Sequence, residues 1–294
     1  MIISIVIPVY NAEKTLENCI KSVLLQDFSK EYEIIIIDNN STDKSIEIAK
    51  RYPVKIIKEK KQGPAAARNR GLKIAKGKYV AFLDADCVAS NKWLENLYNS
   101  FISNPNISCV GGKLEPAKPN NLIEEYSAFR KILSQERVFK NTPYSPPFLL
   151  SANMMIKREI GLKLNGFDEN LFIGEDADFC WRIVKSGGKL YYAKKAIAYH
   201  YHRSNLKSFL KQTFSYGYGH TLLLKKYSKE FNKSIFIDIK PYLSIPYAAV
   251  KFPFTLITGK SKIEKLYPIF DIISSTSFIL GKLYGSWKNQ VFVF

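Results

Sequence analysis

The stretch Tyr79-Val80-Ala81-Phe82-Leu83-Asp84-Ala85-Asp86 decides the fold, because an apolar strand ends there in two carboxylates spaced i, i+2. In α/β sheets, ligands bind at the carboxyl ends of the strands. Alternate residues of an extended chain share a face, so Asp84 and Asp86 are predicted to point into one site. Their hard oxygens suit a divalent cation that carries a diphosphate.

Two other strand ends are also polar. One is Pro8-Val9-Tyr10-Asn11 and the other is Asp38-Asn39-Asn40-Ser41-Thr42-Asp43. An Asp-X-Asp alone is equally typical of a turn or a helix cap. Three consecutive polar strand ends instead predict a functional edge of one sheet.

Strand and helix patterns alternate along the chain. Short apolar, β-branched runs predict strands at 2–9, 33–38, 54–58, 78–84, 107–111, 153–157 and 189–193. Helical patterns occupy 13–25, 42–51, 64–75, 91–103, 121–137 and 175–186. We expect Asn11 and Ser41 or Thr42 to be N-caps and Pro64 to lie in a first helical turn. The alternation predicts an α/β fold with a mainly parallel, Rossmann-like sheet and flanking helices.

Composition identifies a folded protein of 294 residues with 46% hydrophobic and 24% charged residues. The first residues lack a basic region and a cleavage site and read as a buried strand, so we expect a cytoplasmic protein. Cys19, Cys87, Cys109 and Cys180 are far apart, which argues against zinc and disulfides. For Cys87, beside Asp86, packing is the favoured role.

The net charge of +18 is uneven, since residues 203–294 hold 14 Lys and Arg against four Asp and Glu. This excess indicates an anionic partner, either nucleic acid or a phospholipid surface, unless it is only a solvated Lys-rich surface. An amphipathic helix is predicted from Leu206 onward. The apolar segments 241–259 and 266–281 carry charges or prolines and make poor membrane spans. They are better interpreted as segments that lie on a membrane or as a homo-oligomer interface.

The segment Gly63-Pro64-Ala65-Ala66-Ala67-Arg68-Asn69-Arg70-Gly71 places two arginines at a strand-to-helix turn. A helix N-terminus with guanidinium groups suits an anionic ligand, whereas the alternative is a pair of solvated helix charges. The segment is neither a Walker A loop nor a GxGxxG motif.

Three acids open a later helix in Gly174-Glu175-Asp176-Ala177-Asp178, and His200 and His202 follow a strand. Each acid is explicable as a helix-capping charge, but a carboxylate at this junction is also well placed to be a general base. In a His-X-His strand both rings face one side, so one of them is a candidate metal ligand.

These motifs together resemble family 2 glycosyltransferases of the GT-A fold. The resemblance covers residues 2 to about 220 and rests on the three strand ends, on Gly63 through Gly71, on Gly166-Phe167-Asp168 and on Gly174-Glu175-Asp176. It implies an inverting transfer of a sugar from a nucleotide sugar, a UDP-sugar first of all, to an acceptor hydroxyl. Mg2+ or Mn2+ on the diphosphate is the implied cofactor.

The resemblance also implies roles for individual residues. Pro8, Tyr10 and Asp38 would hold the base and ribose, with Arg68 near the base or diphosphate. Asp84 would contact the ribose or the metal, and Asp86 would be the metal ligand. Asp176 would be the general base, with Glu175 and Arg182 in acceptor or leaving-group contacts. His200 would be a further metal or diphosphate ligand, with His202 as the open alternative.

The predicted organisation is a catalytic domain at 1–203 and a helical, membrane-proximal region at 204–294. The nucleotide-binding half would span 1–113 and the acceptor-binding half 114–203. The acceptor, a surface glycan or lipid-linked oligosaccharide, would be recognised by the C-terminal region and the 138–152 loop. The enzyme would be peripheral on the cytoplasmic face of an anionic membrane.

Two other classes of protein compete with this interpretation. A nucleotidyltransferase or sugar-phosphate synthase would share the strand-end carboxylates but should have a Gly- and Arg-rich first loop, which Pro8-Val9-Tyr10-Asn11 is not. A basic nucleic-acid-binding protein would explain the charge but not the acidic sheet edge, which would repel phosphate. We therefore expect no nucleic-acid partner.

Overall fold

The structure is a computed structural model that describes residues 1–140, 145–227, 229 and 239–291. The chain forms two compact units. The first comprises Met1–Ala117, Leu133–Lys140 and Pro147–Tyr201, and the second comprises Lys118–Ile132, 145–146 and the described residues from His202 onward. The predicted domain boundary at 203 lies beside the last transition, but 118–132 belong to the second unit. Residues 141–144 of the predicted acceptor loop lie outside the described residues.

The first unit contains the strands and most of the shorter helices. The strands are β1 (Ile3–Val9), β2 (Tyr32–Asp38), β3 (Lys55–Lys58), β4 (Tyr79–Leu83), β5 (Cys87–Ala89), β6 (Ile107–Pro116), β7 (Asn153–Lys157) and β8 (Lys189–His200). The helices are α1 (Leu16–Leu24), α2 (Ser45–Ala49), α3 (Pro64–Ile74), α4 (Trp93–Ser103), α6 (Gln135–Phe139), α7 (Arg158–Lys163) and α8 (Glu175–Lys185). The second unit contains α5 (Leu122–Phe129), α9 (Leu206–Tyr227), α10 (Lys240–Thr258) and α11 (Lys262–Asn289).

The eight described strands form one sheet in the order β3-β2-β1-β4-β7-β6-β8-β5. β1, β2, β3 and β4 are parallel to one another, and β6 is parallel to β8. β7 runs antiparallel to both β4 and β6, and β5 runs antiparallel to β8. The predicted α/β class with a Rossmann-like half is confirmed, and the antiparallel strands lie in the other half.

Both faces of the sheet are covered by helices, as the apolar strands predict. Side chains alternate along β1, so Ile5 and Ile7 belong to one buried cluster and Val6 to the other. The first cluster includes Leu16 and Ile20 of α1 and Trp93 and Leu97 of α4. The second includes Ala65 and Ala67 of α3 and Phe179 and Ile183 of α8. All four cysteines are buried in this unit, as predicted for packed thiols.

Several element boundaries differ from the prediction. β5 and α7 were not predicted, because runs of three and six residues are too short to show a period. The helix expected at 121–137 is broken, since Lys131 and Leu133 take the left-handed conformation between α5 and α6. Asn11 and Ser41 or Thr42 are not N-caps, because α1 begins at Leu16 and α2 at Ser45. Pro64 is in the first turn of α3, as predicted.

In the second unit, α9 and α11 cross at glycines. A Cβ at Gly217 would clash with the Phe278 carbonyl, and a Cβ at Gly281 would clash with the Phe214 carbonyl. The glycines allow the two helix backbones to approach closely, because no side chain lies between them.

A cluster of polar side chains joins α5 and α11 in the second unit. Tyr126 of α5 donates to Asp271 Oδ1 of α11 at 2.8 Å, and Arg130 Nε lies 2.9 Å from the same oxygen. The hydroxyl of Tyr126 also lies 3.0 Å from Ser274 Oγ. The charged carboxylate of Asp271 is thus paired with one arginine and one hydroxyl.

The predicted surface segments 241–259 and 266–281 correspond to α10 and part of α11. Among the described helices, none combines the length and apolar character needed to cross a bilayer.

Candidate active site

Three polar strand ends meet at one edge of the sheet, as predicted. β1 lies between β2 and β4 and is parallel to both, and Val9 is in register with Asp38. Asn11, with φ of 50°, accepts a hydrogen bond from the Thr42 backbone N–H at 2.8 Å and so ties the first strand end to the second. Pro8 is half-buried beside this junction, and Tyr10 is 56% exposed, so its ring is accessible to a ligand.

The end of β2 anchors the loop that leads into α3. Asp38 is buried, and its Oδ1 accepts from the Ser41 N–H at 2.9 Å. Asn39 donates to the Glu59 and Lys61 carbonyls and accepts from the Gly63 N–H at 2.7 Å. Asn39 therefore positions the N-terminus of α3, a role that residue type alone does not predict.

Arg68 of α3 is buried and joins two carboxylates, so it is not the solvated charge of the alternative interpretation. Its Nη2 lies 2.8 Å from Asp84 Oδ1, and its Nη1 lies 3.0 Å from Glu175 Oε1. The guanidinium carbon is also 5.7 Å from the Phe167 ring centroid. α3 lies so close to the sheet that a Cβ at Gly71 would clash with Val6.

Asn69, next to Arg68, fixes the Gly166-Phe167-Asp168 turn. Its side chain accepts from the Phe167 N–H and donates to the Phe167 carbonyl, both at 2.8 Å. Gly166 has φ of 67°, and a Cβ there would clash with Asn69 Oδ1. This glycine is required both by its conformation and by the close approach of the amide. Asn69 was missed at the sequence level because its partners are about a hundred positions away.

The acids at the start of α8 have different partners. Glu175 pairs with Arg68, whereas Asp178 is fully buried and pairs with Arg182 at 2.8 Å. Asp176 Oδ2 accepts from the Ser151 N–H at 3.2 Å. Its Oδ1 is buried and accepts no hydrogen bond from the described residues. Asp176 thus has one buried oxygen that is available to accept a proton.

Burial perturbs the pKa values of these neighbouring carboxylates. Desolvation, followed by the adjacent Asp176 charge, raises the pKa of Glu175 to about 8, despite the opposing effect of Arg68. Desolvation also raises the pKa of Asp176, against the effects of Arg68 and Ser151. A carboxylate with a raised pKa is a stronger base than an ordinary surface acid.

Arg182 donates to protein groups around its own helix. Besides its pairing with Asp178, it donates to the Leu164 and Gly166 carbonyls, each at 2.7 Å. These contacts hold the 164–166 turn against α8, a structural role that the sequence did not predict. Its predicted contact with acceptor or leaving group stays a prediction.

Asp84 and Asp86 do not share one face of an extended strand, because β4 ends at Leu83 and Ala85-Asp86 form a turn. Asp84 points to Arg68, and Asp86 Oδ1 lies 3.4 Å from His200 Nε2. The two carboxylates thus have separate partners.

His200 is the last residue of β8 and is in register with Cys87. His202 lies beyond the strand and in the second unit, so the expectation that both rings share a strand face is wrong. Ligand atoms of Asp86, Cys87 and His200 lie within 4.8 Å of one another. Burial raises the pKa of the Cys87 thiol well above its usual value. Among these three residues, the Asp86 carboxylate and the His200 imidazole are the oxygen and nitrogen donors that fit Mg2+ or Mn2+, whereas a thiolate suits softer metals.

Comparison with known proteins identifies the family of this chain. The model of the family "Glycosyl transferase family 2" matches residues 4–162, more than half of the chain. The chain belongs to glycosyl transferase family 2. This membership favours a glycosyltransferase over the nucleotidyltransferase, sugar-phosphate synthase and nucleic-acid-binding alternatives.

Two archaeal relatives of this family 2 glycosyltransferase are similar over most of their length. Glycosyltransferase AglE of Haloferax volcanii is 30% identical over 74% of this chain and 72% of that protein. A dolichyl N-acetyl-alpha-D-glucosaminyl phosphate 3-beta-D-2,3-diacetamido-2,3-dideoxy-beta-D-glucuronosyltransferase of Methanococcus voltae is 30% identical over 76% of this chain and 74% of that protein.

Solved glycosyltransferases share the GT-A fold of this chain. The mannosyltransferase PcManGT of Pyrobaculum calidifontis, solved with GDP-Man and Mn2+, superposes with a TM-score of 0.67 at 17% identity, covering 97% of this chain and 87% of that one. TarS of S. aureus, solved with UDP, gives a TM-score of 0.53 at 19% identity over 99% of this chain and 92% of that one. These superpositions confirm the predicted fold, and the family membership and the two archaeal relatives confirm the predicted enzyme class.

Proposed function

We propose that this family 2 glycosyltransferase transfers a sugar, with inversion, from a UDP-sugar or related nucleotide sugar to a hydroxyl of a lipid-linked or surface-glycan acceptor. The donor class is supported by the similar structures, which hold GDP-Man or UDP. The acceptor class is supported by relatives whose names specify a dolichyl phosphate-linked sugar and a poly(ribitol-phosphate).

The nucleotide is proposed to bind at the ends of β1 and β2. Pro8, Tyr10 and Asp38 would hold the base and ribose, in keeping with the exposed ring of Tyr10 at this edge. Arg68 would orient the diphosphate or base, and Asp84 the ribose or metal, from their mutual ion pair.

A divalent cation, Mg2+ or Mn2+, is proposed to be held by Asp86 and His200. These residues fit such a cation, because Asp86 Oδ1 and His200 Nε2 lie 3.4 Å apart. When bound, the cation would neutralise the charge that develops on the departing nucleoside diphosphate.

Asp176 is proposed to be the general base. Its Oδ1 would accept the proton of the acceptor hydroxyl while the hydroxyl oxygen attacks the anomeric carbon. The bond between that carbon and the phosphate oxygen breaks in the same step, and the nucleoside diphosphate leaves with the electron pair. A single displacement needs one base and no carboxylate nucleophile. Glu175 and Arg182 would contact the acceptor or leaving group.

The enzyme is further proposed to be peripheral on the cytoplasmic face of a membrane that carries its acceptor. The excess of ten positive charges in residues 203–294 supports an anionic surface as the partner.

The observation that carries the proposal is the buried Asp176 Oδ1, which has no hydrogen-bond donor among the described residues and lies one residue from the Glu175–Arg68–Asp84 group. A panel of nucleotide sugars, assayed for release of nucleoside diphosphate with a glycolipid extract as acceptor, tests the reaction. We expect release that depends on acceptor and on divalent metal. Absence of release with every donor would contradict the proposal.

Calorimetry with UDP tests the metal site separately. Mn2+ should strengthen UDP binding to the wild type but not to Asp86→Asn, and His200→Ala should lose more of this gain than the matched His202→Ala. Full retention of the Mn2+ effect in Asp86→Asn would move the metal elsewhere.

A further inference from the structure

One face of α10 is apolar and exposed. Leu243, Tyr247, Val250, Phe254 and Ile257 follow one another at spacings of four and three residues, which places them on one side of the helix. Their exposed fractions range from 59% to 85%. We call these five residues the α10 stripe.

The opposite face of α10 packs inside the second unit. Ala248 and Thr255 are buried there. Ser244 Oγ lies 2.6 Å from Ser275 Oγ of α11, and Thr255 Oγ1 donates to the Lys265 carbonyl at 3.0 Å. The orientation of the helix is thus fixed by contacts with α11, and the stripe faces outward as a consequence.

Lysines flank the stripe in the sequence. Between Asp238 and Glu264 the chain contains Lys240, Lys251, Lys260 and Lys262 and no Asp or Glu. Lys251 Nζ donates to the Tyr247 hydroxyl at 3.2 Å, which holds a cation directly beside the stripe. The next acid, Glu264, caps α11 through its bonds to the Lys260 and Ser261 N–H groups.

We infer that the α10 stripe is the surface that docks onto an anionic lipid bilayer. An exposed apolar face of this length marks an interaction site, and aromatic residues with flanking lysines are suited to the headgroup boundary. A bilayer with acidic headgroups supplies both apolar and anionic partners. A second copy of the chain would instead bring the same lysines together, which electrostatic repulsion opposes.

This inference deepens the proposed peripheral location, because it assigns that location to one helix face and commits to acidic phospholipid as the partner. It does not depend on which sugar is transferred.

Flotation with vesicles tests the stripe in the full-length protein. Vesicles of phosphatidylglycerol and phosphatidylcholine are compared with phosphatidylcholine alone, for the wild type and for Val250→Asp/Phe254→Asp. Both side chains are exposed, so the variant should keep its fold, and circular dichroism checks this. The matched control is Leu25→Asp/Ile102→Asp, which alters exposed apolar residues of the first unit.

We expect the wild type and the control to float with the acidic vesicles at low salt. The stripe variant should show a loss of recovery of about tenfold or more, since two apolar contacts are replaced by charges that the surface repels. Lys260→Gln/Lys262→Gln should show a smaller loss and a weaker dependence on salt.

Equal flotation of wild type and stripe variant would overturn the inference, as would the absence of wild-type flotation. So would a wild-type dimer, seen by sedimentation velocity, that the stripe variant dissociates, because the occupant would then be a second copy. UDP binding, measured in parallel, separates the two proposals. Flotation without UDP binding contradicts the proposed transfer reaction alone. UDP binding without flotation contradicts this inference and the peripheral location on which it rests, and leaves the transfer reaction standing.

Discussion

Each unit of the molecule pairs an arginine with carboxylate groups, but the charge balance of the two groups differs. In the second unit one carboxylate, Asp271, is paired with Arg130 and the Tyr126 hydroxyl. In the first unit Arg68 pairs with both Asp84 and Glu175, and Asp176 follows in the chain with a buried oxygen that accepts no bond from the described residues. In the second unit the one arginine and the one carboxylate have equal and opposite charge. In the first unit the carboxylates outnumber the arginine, and such an excess indicates a site that binds protons or cations.

The largest expected effect concerns the unbalanced group. Asp176→Asn should lower turnover by about 10²–10⁴-fold, because a general base acts in the transition state. Binding of UDP with Mn2+ should stay near the wild-type value. Steady-state kinetics and calorimetry measure the two quantities.

Asp178→Asn is the matched control, since this acid lies in the same helical turn but pairs with Arg182. It should lower thermal stability while the folded enzyme keeps most of its turnover. Near-normal turnover of Asp176→Asn on its true acceptor would exclude it as the base and leave Glu175 or Asp178.

The two arginines should differ in their contribution to stability. Arg68→Met removes the partner of two carboxylates from a buried position and should lower the free energy of unfolding by about 3–5 kcal/mol. Arg130→Met removes a half-exposed side chain, and Asp271 keeps the hydrogen bond from Tyr126. The free energy of unfolding should therefore fall by only about 1 kcal/mol. Urea unfolding followed by circular dichroism gives both values. Equal costs would show that the two groups do not differ as described.

A smaller effect should appear in the pH dependence of stability. In the unfolded chain Glu175 loses its proton near 4.5, whereas in the fold its pKa is about 8. The folded state therefore binds more protons between these values, and the stability contributed at low pH is lost as pH rises through this window. Glu175→Gln does not titrate, so its Tm relative to wild type should rise by a few degrees from pH 5 to pH 8.

Glu169→Gln provides a control of opposite sign. The pKa of Glu169 is lowered by hydrogen bonds from Asn69 and Lys61. Its stability contribution is present at neutral pH and lost in acid, so the variant should be less stable than wild type at neutral pH and approach it as pH falls. The same pH trend in both variants would contradict the assignment of the Glu175 shift to burial.

Local sequence patterns predicted the parallel half of the sheet well, for a physical reason. Strands buried on both faces are continuous apolar runs, and the polar residues after them mark their ends. The antiparallel insertion of β7 between β4 and β6 depends on long-range pairing, which no local pattern records.

The site was predictable as a set of residue types but not as a set of contacts. Arg68 and Glu175 are 107 positions apart, and their pairing requires α3 and α8 to dock on the sheet. For the same reason the roles of the Asn39 and Asn69 amides and of the Ser151 N–H were missed, because their partners are distant in the sequence. The divergence of Asp84 and Asp86 follows from the turn at Ala85, which the extended-strand assumption ignored.

The four buried cysteines make it possible to measure transient opening of the first unit by alkylation. Cys19, Cys87, Cys109 and Cys180 lie on α1, β5, β6 and α8, and burial raises the pKa of each thiol. Since the thiolate is the reactive form, alkylation must wait until the sheet opens. The alkylation rate under excess reagent therefore measures the free energy of local opening at four points of the first unit. The second unit has no cysteine and gives no alkylation signal. The alkylation rates therefore report on the first unit alone within the intact chain.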